Sequence, residues 1–236
     1  AAAAAPPAAA VPSCPGWTAA GLVTHVTEVY LHKTETMRRG EWPDPWPPDL
    51  SGEEPLAALD RSYAELTGEF AARAPGDHAL TWYDPDQSVG FWIRRMAQET
   101  VVHRMDAELA AGVPVTPAAD DLALDGVDEG LRVMLAYELA LYPDGFTDVM
   151  RDDLKGAIAV VAGERAWIVR PSAGGAAEDV VEDEAADKAV ERAEAVVSGS
   201  PDQVLRWLWG RGDEIAVAGN PEYATYLRKL VAVATQ

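Results

Sequence analysis

The stretch QETVVHRMDAELAAG, residues 98–112, decides how the fold is interpreted. It completes a proline-free segment that starts at about residue 91 and stops at Gly112, and this pattern predicts a helix over 91–111. Glu99 and His103 are four residues apart, so a helix places both side chains on one face, one turn from each other. That spacing suits two ligands of one metal ion, and it makes this helix the expected centre of the N-terminal half.

Three other segments are predicted to be amphipathic helices. The first covers about 18–39, the second covers 52–73 behind a Ser51/Glu54 capping-box pattern, and the fourth covers 119–141. Apolar residues at helical spacing are expected to face inward, and these are Leu22, Val26, Val29, Met37, Leu56, Leu59, Tyr63, Leu66, Phe70, Leu122, Leu131, Leu135 and Leu139. Four such helices, joined by one or two longer connections, describe a four-helix bundle.

The composition changes after Gly145, where short apolar runs replace the long helices. The predicted elements are a β-hairpin over 157–163 and 165–171, strands over 188–199 and 214–219, a helix over 202–210 capped by Ser200, and a helix over 220–234. A flexible acidic stretch, 172–187, is expected between the hairpin and the next strand. The sequence therefore predicts an α+β fold, with a bundle over 11–145 and a smaller α+β domain over 146–236.

Charge and composition exclude several classes of function. Nineteen Lys and Arg stand against thirty-nine Asp and Glu, a formal net charge of −20. This acidity argues against nucleic acids and anionic membranes as partners, because both are bound through Lys and Arg. The single cysteine, Cys14, excludes an internal disulfide and a Cys-based zinc cluster. The opening AAAAAPPAAA lacks the basic region of a signal peptide, so the expected location is cytoplasmic. The expected state of the protein is a monomer or a weak homodimer.

The histidines indicate where a metal could bind. The sequence contains four, which are His25, His32, His78 and His103. His25 lies among apolar residues of the first helix, so it is expected to face inward, where an imidazole needs a partner. Two helices of one bundle can then bring His25, Glu99 and His103 together, and this ligand set leaves open positions on Zn²⁺ or a similar cation. The alternative is that Glu99 and His103 merely form a surface hydrogen bond. His32 is expected at the rim of the site and His78 in a surface loop.

Three segments of the chain resemble those of one known family. They are VPSCPGWTAAGLVTHVTEVY (11–30), QETVVHRMDAELAAG (98–112) with its Glu-x-x-x-His-x-x-Asp pattern, and VLRWLWGR (204–211) followed by IAVAGNPEY (215–223). In this order they are similar to the mycothiol-dependent maleylpyruvate isomerase family. The resemblance implies a DinB-like four-helix bundle followed by a small α+β domain that resembles sterol carrier protein.

The resemblance also implies a chemistry. A divalent metal, usually zinc, would be held at the positions of His25, Glu99 and His103. The open site would take the thiolate of mycothiol, the low-molecular-weight thiol of actinobacteria, and the metal-bound thiolate would attack an electrophilic small molecule. The reaction would be isomerisation, as of maleylpyruvate, or transfer of mycothiol to another electrophile. Arg211 matches a functional arginine of the family's second domain that would bind the substrate or the thiol cosubstrate, and Arg206 is its rival.

Two other interpretations remain open from the sequence. One is a metal-dependent hydrolase or transferase that uses another thiol or water. The other is a non-catalytic metal-containing protein that binds a small ligand, and a fourth metal ligand from Cys14 or His32 would favour it. Asp106 either orients His103 or is an ordinary carboxylate of the helix face.

Overall fold

The computed structural model describes residues 4–170, 178–181 and 190–235. The chain divides into two compact units, Ala1–Thr116 and Pro117–Gln236. The first unit is helical and the second combines helices with a sheet, which confirms the predicted α+β class. Within the described residues, no helix combines the length and apolar character that crossing a bilayer requires.

The first unit is built on three helices, α1 (Ala19–Arg39), α2 (Pro55–Ala71) and α3 (Val89–Ala110). Helix α1 packs against both of the others. It begins behind Thr18, whose hydroxyl accepts a backbone N–H of the first turn, and it ends at Gly40 with a φ of 70°, a left-handed conformation that glycine adopts without strain. The predicted helices over 18–39 and 91–111 are therefore confirmed.

The predicted start of the second helix was wrong. The capping residue is Glu54 rather than Ser51, and its carboxylate accepts the backbone N–H of Ala57 at 2.8 Å. Pro55 explains the difference, because its fixed φ and missing N–H suit the first helical position. Tyr63, which was expected to face inward, is 53% exposed.

The predicted fourth helix is continuous but has three parts. These are α4 (Asp120–Asp128), a π-helical segment (Glu129–Ala136) and α5 (Tyr137–Leu141). It belongs to the second compact unit, where the indole N–H of Trp167 donates to Asp128 at 3.0 Å. The compact units thus divide at 116/117, whereas the sequence suggested 145/146 as a domain boundary. Compactness does not test which segment folds by itself, so the domain assignment stays a prediction.

The sheet of the second unit has five strands. They are β1 (Ile158–Ala162), β2 (Arg165–Arg170), β3 (Glu178–Val181), β4 (Ala195–Gly199) and β5 (Ala216–Gly219). Their order is β3-β2-β1-β4-β5, with β1 and β4 parallel and the other neighbours antiparallel. The predicted hairpin is β1–β2, so that prediction is confirmed.

The strand predicted over 188–199 is shorter in the structure. It starts only at Ala195, because the charged residues Glu191 and Arg192 form a turn ahead of it. Most of the predicted acidic stretch 172–187 lies outside the described residues, and the part that is described, 178–181, is strand β3.

Two helices pack on this sheet. Helix α6 (Pro201–Leu208) begins with the complete capping box of Ser200 and Gln203, and helix α7 (Pro221–Ala234) follows β5. Leu205 and Leu227 are fully buried between the helices and the strands. The apolar faces of both helices therefore complete the core of the second unit.

Replacing Leu205 by Ala should destabilise the second unit by about 2–5 kcal/mol, because a fully buried leucine loses its packing and leaves a cavity. Urea unfolding followed by tryptophan fluorescence would measure the loss. The matched control is Leu141→Ala, since Leu141 is 46% exposed and its truncation should change the midpoint little. Equal midpoints for the two variants would contradict the packing described here.

Candidate metal centre

Helices α1 and α3 bring three potential metal ligands together. His25 comes from α1, whereas Glu99 and His103 come from successive turns of α3. One ligand atom from each lies within 4.8 Å of the others. Both imidazoles contact the same atom, Glu99 Oε1, which lies 3.2 Å from His25 Nε2 and 3.1 Å from His103 Nε2. The predicted grouping of these three residues is what the structure contains.

The three side chains differ in their exposure. Those of Glu99 and His103 are 14% and 12% exposed, whereas that of His25 is 36% exposed. Trp17 packs against both imidazoles, with ring centroids 4.8 Å from His25 and 6.2 Å from His103. The cluster is therefore covered by an aromatic ring and is most open at His25.

A buried arginine holds the second oxygen of Glu99. Arg95 lies one turn earlier on α3, its side chain is only 5% exposed, and its Nη2 donates to Glu99 Oε2 at 2.6 Å. Burial by itself would raise the pKa of Glu99, but the hydrogen bonds from His103 and His25 and the charge of Arg95 outweigh it. They hold that pKa well below 4.5, so Glu99 is a carboxylate.

A buried carboxylate in turn holds His103. Asp106 is fully buried, and its Oδ2 accepts the Nδ1–H of His103 at 2.8 Å. Ser13 Oγ donates to the other oxygen of Asp106, and Cys14 Sγ lies 3.6 Å from Oδ2. Burial alone would lower the pKa of His103, but Asp106 and Glu99 outweigh it and raise that pKa to about 9 in the metal-free chain. Of the two roles considered for Asp106, the geometry fits orientation of His103.

The two candidates for a fourth ligand do not join the cluster. Cys14 and His32 are outside the group whose donor atoms converge in the described chain. His32 instead lies between the rings of Trp42 and Trp46, at centroid distances of 5.6 and 5.0 Å. His78 is exposed in a loop, as predicted.

The first unit corresponds to a known domain. Residues 1–108 match the family model described as the mycothiol maleylpyruvate isomerase N-terminal domain. This part of the chain is similar to that domain. No curated protein and no solved structure matches the chain. The family match ends ahead of the second unit, so the likeness of that unit to sterol carrier protein stays a prediction.

The donor set of the first unit fits a divalent ion. Ligand bonds of about 2.0–2.1 Å at tetrahedral angles place neighbouring donor atoms about 3.3–3.4 Å apart. The two separations at Glu99 Oε1, 3.1 and 3.2 Å, are close to this value. In the metal-free chain, protons on the imidazoles bridge the same atoms, and a divalent ion would replace those protons.

Arg211 lies in the second unit, outside the stretch that the isomerase-family model covers. Its guanidinium donates to the backbone carbonyl of Trp209. Its rival Arg206 lies 3.8 Å from the carboxylate of Asp202 and donates to the backbone carbonyl of Arg211 at 3.4 Å. Arg206 therefore supports the loop that carries Arg211, and the role of Arg211 in binding substrate stays a prediction.

Sequence reasoning missed three residues around the centre: Arg95, Ser13 and Trp17. Arg95 could have been found, since it precedes Glu99 by the same four-residue spacing that revealed His103. Ser13 and Trp17 could not, because their contacts depend on how the segment before α1 folds back onto α3.

In the metal-free protein, the imidazole of His103 should titrate near pH 9, and Asp106→Asn should move this titration to a lower pH. Because the folded pKa is raised above 6.5, the contribution of His103 to stability is fully present below pH 6.5 and is lost as the pH rises toward 9. NMR of the labelled imidazoles across pH 5–10, in the presence of a chelator, measures both. A His103 signal that titrates at 6.5 in both proteins would contradict the assignment.

Proposed function

We propose that the first unit binds one divalent metal ion, Zn²⁺ or an ion with similar ligand preferences, through His25, Glu99 and His103. We further propose that the chain is a mycothiol-dependent isomerase or mycothiol S-transferase. The observation that carries the proposal is the convergence of two imidazole nitrogens on one carboxylate oxygen, within 4.8 Å of one another. Two histidines and a carboxylate are a frequent protein ligand set for catalytic zinc, which keeps an open position.

The family match supports the choice of thiol. The residues concerned all lie within the stretch 1–108 that matches the mycothiol maleylpyruvate isomerase N-terminal domain. A bound divalent ion would supply a positive charge that lowers the pKa of a coordinated thiol, so that the thiolate is available at neutral pH. The lack of Cys14 and His32 in the ligand group favours an open centre over a closed structural one.

The residues around the centre prepare it for this role. Asp106 keeps a proton on Nδ1 of His103, so Nε2 would be the nitrogen available to a metal ion. Arg95 occupies Oε2 of Glu99, so Oε1 would be the oxygen available to that ion. Trp17 shields the two imidazoles from solvent, whereas the greater exposure of His25 marks the side from which a thiol can enter.

His103→Ala and His25→Ala should each lose the metal and, with it, the mycothiol-dependent activity, because two remaining ligands hold a divalent ion poorly. Elemental analysis gives the metal content. Mass spectrometry of incubations with mycothiol and 1-chloro-2,4-dinitrobenzene, an electrophile that reacts slowly with thiols in the absence of a catalyst, gives the rate of conjugate formation above that of a protein-free incubation. The matched control is His78→Ala, which removes an exposed loop histidine and should change neither quantity. Full metal occupancy in His103→Ala would refute the ligand assignment, and a metal-loaded protein that forms the conjugate no faster than the protein-free incubation would refute the thiol chemistry.

Arg211→Ala should lower turnover of a carboxylate-bearing electrophile about ten- to a hundredfold while the metal content stays unchanged, because one charge-assisted contact contributes about 1.5–3 kcal/mol. Turnover of a neutral electrophile should change less. Steady-state kinetics with both substrates separates these effects, and Arg170→Ala, which removes an exposed arginine of the same unit, is the control. Unchanged turnover of both substrates in Arg211→Ala would remove this residue from the site.

A further inference from the structure

Lys33 is a lysine of α1 that lies beside the candidate metal centre. It follows His25 by eight residues, which is about 12 Å along the helix axis, and helical side chains lean toward the N-terminus, here toward the turn of His25. Its Nζ lies 4.9 Å from the centroid of the Trp92 ring and donates to His32 Nδ1 at 3.2 Å. The ammonium group is thus held in place by two uncharged rings.

The surroundings of Lys33 differ from those of several arginines in the first unit. Three of these arginines have a carboxylate partner, in the pairs Arg95–Glu99, Arg104–Glu108 and Arg73–Glu69. Lys33 is half-buried, and within the described part of the first unit no carboxylate lies within 4.0 Å of its ammonium. A half-buried cation without a counter-ion loses solvation that its neighbours do not replace.

The charge of Lys33 nevertheless persists at neutral pH. Burial lowers its pKa to about 8, with the charge of Glu99 raising it and that of Arg95 lowering it. The cation–π contact with Trp92 offsets a part of the lost solvation. An ammonium has three N–H groups, and His32 accepts from one of them. Lys33 therefore carries a positive charge, and two of its three N–H groups remain for other acceptors.

With a divalent ion bound, the sum of the charges at the centre would favour the binding of an anion. Arg95 and Lys33 are positive, whereas Glu99 and Asp106 are negative, so these four side chains balance one another. A divalent ion bound by neutral imidazoles would add two positive charges to this balance. A thiolate would neutralise one of them, and one anionic group of a second molecule would neutralise the other.

We propose that the Lys33 ammonium binds a carboxylate of the electrophilic substrate and so makes the site specific for organic anions. The inference rests on the proposed function, because the reactive carbon of the substrate would have to lie at the metal centre. The carboxylate of the substrate would then extend along α1 toward Lys33. His32 and Trp92 fix the position of the ammonium, so that the contact forms with little loss of side-chain entropy. Lys33 thereby acts as a specificity residue within the first unit.

The test uses the full zinc-loaded chain and two probes of matched shape, maleate and its neutral diamide, maleamide. Isothermal titration calorimetry gives the Kd of each probe for the wild type, Lys33→Met, Lys33→Arg and Lys155→Met. The last variant removes an exposed lysine and makes the same change in net charge. Zinc content and circular dichroism of every variant establish that the centre and the fold are intact.

We expect maleate to bind the wild type more tightly than maleamide does. Lys33→Met should raise the Kd of maleate about tenfold or more, because a charge-assisted contact is lost, whereas Lys33→Arg and Lys155→Met should stay within about threefold of the wild type. A maleate Kd unchanged in Lys33→Met, an equal loss in Lys155→Met, or no preference for maleate in the wild type would overturn the proposal. If maleate binding depends on Lys33 but the chain does not accelerate formation of the mycothiol conjugate, the anion site is supported and only the proposed function is contradicted.

Discussion

The candidate centre depends on one buried carboxylate, that of Glu99. Taking a carboxylate out of water is costly unless donors and positive charges surround it. Arg95 satisfies one oxygen from the same helix, and His25 and His103 converge on the other. Since His25 belongs to α1, the requirement of Glu99 for partners links α1 to α3. The same atoms that stabilise this contact in the metal-free chain are the atoms that suit a metal ion.

A second layer of contacts fixes the orientation of these ligands. Asp106 is fully buried and binds both His103 and Ser13, so it connects α3 with the segment that precedes α1. That segment also carries Trp17, which packs on the imidazoles. The VPSCPGWT sequence before α1 therefore has two roles, because it caps the helix and also covers the centre. A ligand set held in this way needs little reorganisation when an ion binds.

Local spacing explains which features could be predicted from the sequence. Glu99 and His103 are neighbours on any α-helix, so their pairing follows from the sequence alone. The apolar residues around His25 predicted that it faces inward, and its side chain does contact Glu99 but remains 36% exposed. The surroundings of Lys33, whose ammonium contacts the ring of Trp92 and has no carboxylate within 4.0 Å in the described part of the first unit, could not be predicted. They depend on which residues of α3 pack against α1. The π-helical segment and the exposure of Tyr63 were likewise missed, since helical periodicity does not show how a helix is hydrogen-bonded or which face its neighbours cover.

The formal charge of the whole chain is strongly negative, whereas the four charged side chains around the candidate centre balance one another, and distance decides which of the two a ligand experiences. The chain carries a formal net charge of −20, but exposed charges are screened beyond about 8–10 Å at physiological ionic strength. Lys33 and Arg95 are partly or fully removed from water, where a charge is screened less. If an ion is bound at the centre and Lys33 binds anions, as proposed, an anion in the site would interact mainly with the ion and with Lys33, because Arg95 is already paired with Glu99. The acidic surface would then affect how often anions arrive, whereas Lys33 and the ion would determine which of them stay.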